Sequence, residues 1–246
     1  MKTRLDTLVV ERGLAASRER ARALILAGQV RVNGTVVSKA GQAIAAEAEI
    51  TLIARDHPYV SRGGVKLAHA LDVCAVDPRG RVALDVGAST GGFTDVLLQR
   101  GAARVLALDV GHGQLDWRLR NDPRVVVLER VNARTLTAGQ LPEGLRTFDL
   151  AVMDVSFISV RQVLPAIVPL LAPGADVVVL VKPQFEAGRE EVGKGGIVRD
   201  PAVHARVVAD VAAAASALGL SRVATSESPI TGSEGNREFF LHLRRA

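Results

Sequence analysis

The chain has 246 residues, 48% hydrophobic and 23% charged, enough for one α/β domain of ordinary size, a small appendage and a well-packed core. A single cysteine, Cys74, excludes an internal disulfide and sits among apolar neighbours as a buried thiol rather than a nucleophile, and the five histidines lack metal-ligand spacing, so no metal is expected. The net charge of +5 is local: residues 1–40 hold eight basic and three acidic residues and the remainder is neutral, which makes the N-terminal piece an electrostatic handle for a polyanion.

In chain order, Thr3 to Arg12 reads as a short amphipathic helix stopped by Gly13. Ser17 to Ala27 reads as a second helix, with Arg18, Arg20 and Arg22 outward and Ala21, Leu24 and Ile25 inward. Val30 to Val37 is then a hairpin whose Asn33-Gly34 supplies the two positive φ angles of a tight turn, and Lys39, Gly41 and Ile50 to Ile53 complete a small sheet. Residues 1–55 are thus a small α+β module, 56–65 a linker broken by Arg55-Asp56-His57-Pro58, and 66–246 a second domain opened by a helix starting at Lys66.

Ala83 to Val86 is a buried strand leading into Gly87-Ala88-Ser89-Thr90-Gly91-Gly92-Phe93, where glycines let backbone approach a ligand and a helix then begins. Val105 to Asp109 is the next strand, ending in an acid 24 residues after Asp85, close to the distance at which an acid meets ribose hydroxyls in nucleotide-binding folds. Strands follow at Arg124–Leu128, Phe148–Asp154 and Asp176–Pro183, with a helix from Val160 to Leu171 closed by Pro173-Gly174. Gln184 to Arg199 reads as a mobile loop near the site; Asp200-Pro201 caps a helix reaching Leu218, and Ser221–Thr225 with Glu238–Leu243 form a terminal hairpin split by a loop at Thr231 to Asn236.

The glycine turn lacks the G-x-G-x-x-G of dinucleotide sites and the Gly-Lys-Ser/Thr of a P-loop. The pattern D-x-G-x-x-x-G-G-F with a downstream Asp resembles the S-adenosylmethionine site of class I (Rossmann-like) methyltransferases. That resemblance implies S-adenosylmethionine as cofactor, held by Asp85, Gly87, Ala88, Ser89, Gly91, Gly92, Phe93, Asp109, Asn132 and Asp154, with Asp109 on the ribose and Asn132 near the adenine. The first module, with its Ala-Ser-Arg-Glu-Arg-Ala-Arg entry, its Gly-Gln-Val-Arg-Val-Asn-Gly turn and Lys39, resembles the S-four-like RNA-binding module. It implies that Arg4, Arg18, Arg20 and Lys39 meet RNA phosphates, and Arg62 is placed with them.

Four charged residues fall at the expected ligand edge: Lys66, Asp154, Lys182 and Glu238. In that order they resemble the catalytic set of FtsJ-like ribose 2′-O-methyltransferases. The strings Ser61-Arg-Gly-Gly-Val-Lys66, Asp154-Val-Ser-Phe157 and Lys182-Pro-Gln-Phe-Glu186 are similar to the TlyA family, over essentially the whole chain. The implied activity is 2′-O-methylation of cytidine in ribosomal RNA, with ribosomal subunits as partner, no membrane, no obligate protein partner and a monomeric state. Lys182 leads as base and Lys66 as electrostatic support.

Three alternatives compete with this activity. A base methyltransferase would carry Asn/Asp-Pro-Pro-aromatic where Asp154-Val155-Ser156-Phe157 stands, or a nucleophilic cysteine, for which Cys74 is misplaced. TlyA-like proteins often carry a haemolysin label, but no insertion segment is readable: Asp154, Arg161 and Asp176 interrupt the most apolar region, and with no signal pattern a soluble cytoplasmic protein is expected. A catalytically silent RNA-binding scaffold would fail to bind cofactor.

Overall fold

The computed structural model describes residues 2–15, 17–53, 57–232 and 234–246; Ala16, Arg55, Asp56 and Ser233, which belong to segments read above, lie outside the described residues. The chain divides into two compact units, Met1–Pro58 and Tyr59–Ala246.

In the first unit, strand β1 (Lys2–Arg4) leads directly into helix α1 (Leu5–Glu11), and α2 (Arg18–Leu26) follows with Ser17 accepting from the Arg20 amide as its N-cap. Strands β2 (Val30–Val32), β3 (Thr35–Val36), β4 (Ala43–Ala45) and β5 (Ile50–Leu52) form the antiparallel order β3-β2-β5 and a separate β1-β4 pair. Asn33 and Gly34, at φ 49° and 79°, make the expected tight turn. Leu5, Val9, Ala21, Ile25, Val30 and Ile50 build the core.

Two expectations change here. Thr3 pairs with Ile44 in β1, so the first helix starts only at Leu5: backbone bonding to a distant strand overrides a local pattern too short to hold a helix. Lys39 and Gly41 lie in the connection to β4 rather than in the sheet.

The second unit is a seven-stranded sheet with helices on both faces. Its elements are α3 (Arg62–Val73), β6 (Val82–Val86), α4 (Gly92–Gln99), β7 (Arg104–Asp109), α5 (Trp117–Arg120), β8 (Val125–Glu129), β9 (Phe148–Met153), α6 (Val160–Ile167), β10 (Leu171–Val181), α7 (Pro183–Glu186), α8 (Pro201–Ala217), β11 (Leu220–Glu227) and β12 (Phe239–Arg245). The order is β11-β12-β10-β9-β6-β7-β8, with β12 antiparallel to both of its neighbours and β10-β9-β6-β7-β8 parallel. Strand residues alternate between two cores: Leu84, Val86, Met153 and Val179 meet α6 and α8, while Ala83, Val152, Leu180 and Phe240 meet α3 and α4.

This order sets the site. The chain winds outward from β6 through β7 to β8, then crosses back to β9 on the other side of β6, so the strand order reverses between β6 and β9 and opens a crevice at their carboxyl ends. Gly87 stands there at φ 88°, and a Cβ on it would lie 2.5 Å from the Asp154 carbonyl oxygen, a gap no other residue type fits.

Three more boundaries differ from expectation. Helix α3 begins at Arg62, one turn before Lys66, and the second unit begins at Tyr59, so residues 59–65 are not linker. They are tied down by the Val60 amide donating to the Asp95 carboxylate at 2.8 Å and by Gly64, whose missing Cβ leaves room for the Tyr59 ring. Helix α6 ends at Ile167 in a short 3-10 turn containing Pro169, and β10 already runs from Leu171, so Pro173-Gly174 falls where its register against β9 shifts. The segment 184–199, read as a mobile loop, contains α7, a 3-10 turn at Arg189–Glu191 and a Gly193–Ile197 bridge. It is organised by side-chain bonds such as Asn236 to the Val198 amide, which periodicity does not reveal. The Asp200 cap of α8 and the terminal hairpin β11-β12 form as expected.

Candidate active site

Two cavities meet at the crevice and share Gly87, Ser89 and Asp154. The larger, about 350 Å³, is lined by Asp109, Asn132, Val131 and the post-β9 loop Val155–Ile158. Its polar end is prearranged: the two oxygens of Asp109 accept the Ser89 amide at 2.7 Å and the Gly111 amide at 2.6 Å, which fixes the carboxylate at the rim. Asn132 accepts the Arg134 amide at 3.0 Å and also faces this cavity.

The smaller cavity, about 270 Å³, gathers all four charged residues singled out in the sequence. Lys66, on the second turn of α3, sits 2.5 Å from Glu238, which directly precedes β12 and is 3% exposed. Lys182, leaving β10, sits 2.6 Å from Asp154, leaving β9, and donates to the Ser156 hydroxyl at 2.8 Å. Two ammonium–carboxylate pairs drawn from α3, β9, β10 and β12 thus face one space beside the glycine turn. Ala88, Gly92 and Phe93 line the same space, as does Arg62, which donates to the Thr231 carbonyl at 3.1 Å. Arg62 therefore belongs to the second unit.

Asp85 and Gly91 do not reach either cavity. The Asp85 carboxyl is buried beneath the turn, accepts the Thr94 hydroxyl at 2.6 Å, and has one oxygen without a hydrogen-bond partner. Burial, with Asp154 and Asp109 nearby, pushes its pKa up to about 7. Gly91 serves as the left-handed cap of α4, where a Cβ would strike Leu119 and Leu115.

Ser61, Thr90 and Thr231 also line the smaller cavity, and Ser156 lines the larger one; none of them is among the expected site residues. Uncharged residues in aperiodic loops carry no pattern; proximity to the motifs was the only available signal. A ring pair stands beside these residues: Phe157, 92% exposed and at φ 64°, lies 5.2 Å from Phe185 between ring centroids, a contact between the post-β9 loop and α7 that no spacing in the sequence marks.

In the first unit, Arg4, Arg18 and Lys39 are exposed and Arg20 is half-buried. Arg4 and Arg18 both close on the inaccessible Asp6, at 2.8 and 3.3 Å. The Arg4 hydrogen bond, opposed by burial and helped by Arg18, holds the Asp6 carboxyl well below the usual carboxylate range.

Among the described residues, no His/Cys/Asp/Glu group could hold a metal ion and no helix is long and apolar enough to cross a membrane. The description of the FtsJ-like methyltransferase family matches residues 59–245, and that of the S4 domain matches residues 3–50. The chain is 51% identical over 245 residues to the 16S/23S rRNA (cytidine-2'-O)-methyltransferase TlyA of Mycobacterium tuberculosis, covering 99% of this chain and 90% of that protein. It is 41% identical over 240 residues to Hemolysin A of Brachyspira hyodysenteriae, covering 98% and 99%. A solved structure of a Streptococcus thermophilus protein bearing a hemolysin name superimposes with a TM-score of 0.78 at 45% identity, covering 100% of this chain and 89% of that one. With a doubly wound fold, a glycine turn at its reversal point and these matches over both units, the chain belongs to the FtsJ-like methyltransferase family and carries an S4 domain ahead of the methyltransferase fold.

Proposed function

We propose that the protein transfers a methyl group from S-adenosylmethionine to the 2′-hydroxyl of cytidine in ribosomal RNA, acting on ribosomal subunits in the cytoplasm. The observation that carries this reading is the double ion pair, Lys66–Glu238 and Lys182–Asp154, facing a cavity that opens beside the glycine turn. The 51% identity to a cytidine 2'-O-methyltransferase supports the substrate.

The residues present fit the cofactor. The backbone cradle at Gly87 leaves no space for a side chain, and the fixed carboxylate of Asp109 supplies acceptors for vicinal hydroxyls at the end of β7. Asp109 and Asn132 would hold the nucleoside part, and Gly87 to Ser89 would pass the amino-acid part. When bound, S-adenosylmethionine supplies a methyl group on a cationic sulfur, already activated toward a nucleophile.

What remains is alignment of the ribose oxygen and removal of its proton. Lys182 is assigned to accept that proton once its own ammonium proton has passed to solvent, with the Asp154 carboxylate holding the nitrogen in place. Lys66, held by Glu238, stabilises charge developing on the oxygen. Asp154 and Ser156 fix the Lys182 nitrogen, so its reach does not have to be organised during the reaction. The exposed arginines of the S4 unit are assigned to RNA phosphates, contacts that position without reading sequence. A membrane-active reading rests on the names of relatives alone.

The test incubates the full chain with methyl-labelled S-adenosylmethionine and ribosomal subunits from cells lacking the enzyme, followed by mapping of the label. Label on a cytidine ribose is expected; label on a base overturns the reading.

A further inference from the structure

The loop after β9 and the turn after β10 carry Asp154, Ser156 and Lys182, and they are joined a second time behind the site. Glu186, the last residue of α7 and 6% exposed, reaches across to the start of α6. One carboxylate oxygen accepts the Val160 amide at 2.6 Å; the other accepts the Ser159 hydroxyl at 2.6 Å and the Arg161 Nε at 3.2 Å. Arg161 also donates to the Glu186 carbonyl at 3.1 Å. None of these groups lines the charged cavity.

Between the two joints lies Phe157, a bulky side chain at φ 64°, a conformation that persists only when its surroundings impose it. The Glu186 joint begins two residues after it at Ser159, and the Lys182–Ser156 joint lies one residue before it, so the strained turn is pinned on both sides. α7 is a single helical turn, with the Lys182 carbonyl accepting the Phe185 amide at 2.9 Å, so a displacement at Glu186 is passed to the Lys182 backbone with little slack.

We propose that Glu186 is a positioning residue for methyl transfer: its carboxylate locks the post-β9 loop to the post-β10 turn and thereby holds Lys182 against Asp154 and Ser156. The proposal rests on the ribose-methylation reading for what Lys182 does, and on this geometry alone for how Lys182 is held. Misplacing a reacting group by about 1 Å costs about 100-fold in rate, so the joint is expected to show in kcat.

The experiment measures methyl transfer to ribosomal subunits by the full chain, with cofactor affinity and thermal midpoint alongside, for Glu186→Ala, Glu186→Gln, Lys182→Ala and the double variant Glu186→Ala/Lys182→Ala. Folded Glu186→Ala is expected to lose about 10- to 100-fold in kcat. Glu186→Gln, which keeps the length and one acceptor oxygen, should regain a good part of that loss. In single turnovers, Glu186→Ala should cost less than about twofold further once Lys182 is already alanine, because residues acting as a unit are not additive. A kcat within about twofold of wild type in folded Glu186→Ala overturns the proposal, and so does a full additional loss in the Lys182→Ala background, the mark of a merely structural residue. Should Glu186→Ala fail to fold, Glu186→Gln decides: a three- to tenfold fall in kcat, about half of the expected loss on a log scale, supports the proposal and wild-type kcat overturns it. Failure of the ribose reading shows separately, as label on a base with the wild-type protein.

Discussion

In the first unit the acid is inside and the cations stand in water: Asp6 is inaccessible, while the side chains of Arg4 and Arg18 are 53% and 59% exposed. In the second unit the cations are inside as well, since Lys66 and Lys182 each keep only 11% of side-chain exposure against their carboxylates. Asp6 is shared by two guanidiniums whose outer faces stay in water, so one of them can turn to a phosphate while the other still covers the carboxylate. A buried ammonium cannot leave without stranding a desolvated carboxylate, so the second arrangement preserves geometry rather than availability. The same pairing chemistry thus suits a surface that greets a polyanion in one unit and a site that must hold a nitrogen in place in the other.

The comparison breaks most visibly at Lys182. Lys182→Ala is expected to lower kcat by about 10²- to 10⁴-fold, the usual range for a positioned proton-transfer group, with circular dichroism unchanged. A folded variant with normal turnover would remove the mechanism. Next in size, Lys66→Ala leaves Glu238 buried and unpaired and should cost about 3–5 kcal/mol in denaturant unfolding. Lys66→Met with Glu238→Gln should return most of that stability without activity, whereas an equally unstable double variant would show that charge stranding was not the cause.

Asp85 sharpens the contrast, being a buried carboxyl with no cation at all. Its folded pKa of about 7 lies above the ordinary carboxylate value, so its neutral form favours folding at low pH and that contribution is lost as pH rises from about 4 through 7. Asp85→Asn should therefore flatten the stability–pH profile over this window and raise stability at pH 8, by on the order of 2–4 kcal/mol; an unchanged profile would show that burial is not felt there. Asp6 has the opposite sign: its lowered pKa gives stability above about pH 4 that disappears toward lower pH. Smallest of all, Arg4→Ala and Arg18→Ala should each weaken RNA binding a few-fold and lower the slope of log affinity against log salt by about one, read from titrations at several salt concentrations. An unaltered slope would assign both arginines to Asp6 alone.

Much of the site was legible because its parts are local. The Ala83–Phe93 strand and turn, Asp109 ending a strand and the Asp200-Pro201 cap each bind their meaning within a few residues, so composition and spacing suffice. The tetrad was legible through resemblance, since Lys66 and Glu238 stand 172 positions apart and nothing in spacing brings them to 2.5 Å. Asp85 shows the opposite failure: it belongs to the motif by sequence, yet the fold turns its carboxyl under the loop and away from both cavities.

By itself, the sequence determined the periodicities, the caps, the glycine turn and the basic bias of the first 40 residues, because each depends on nearest neighbours along the chain. The tertiary structure alone decided which acids face which cations, that the segment 184–199 is folded, and that Glu186 ties two loops behind the site. Such pairings follow from which strand lies beside which, and that order is set by burial of the whole sheet rather than by any short stretch of it.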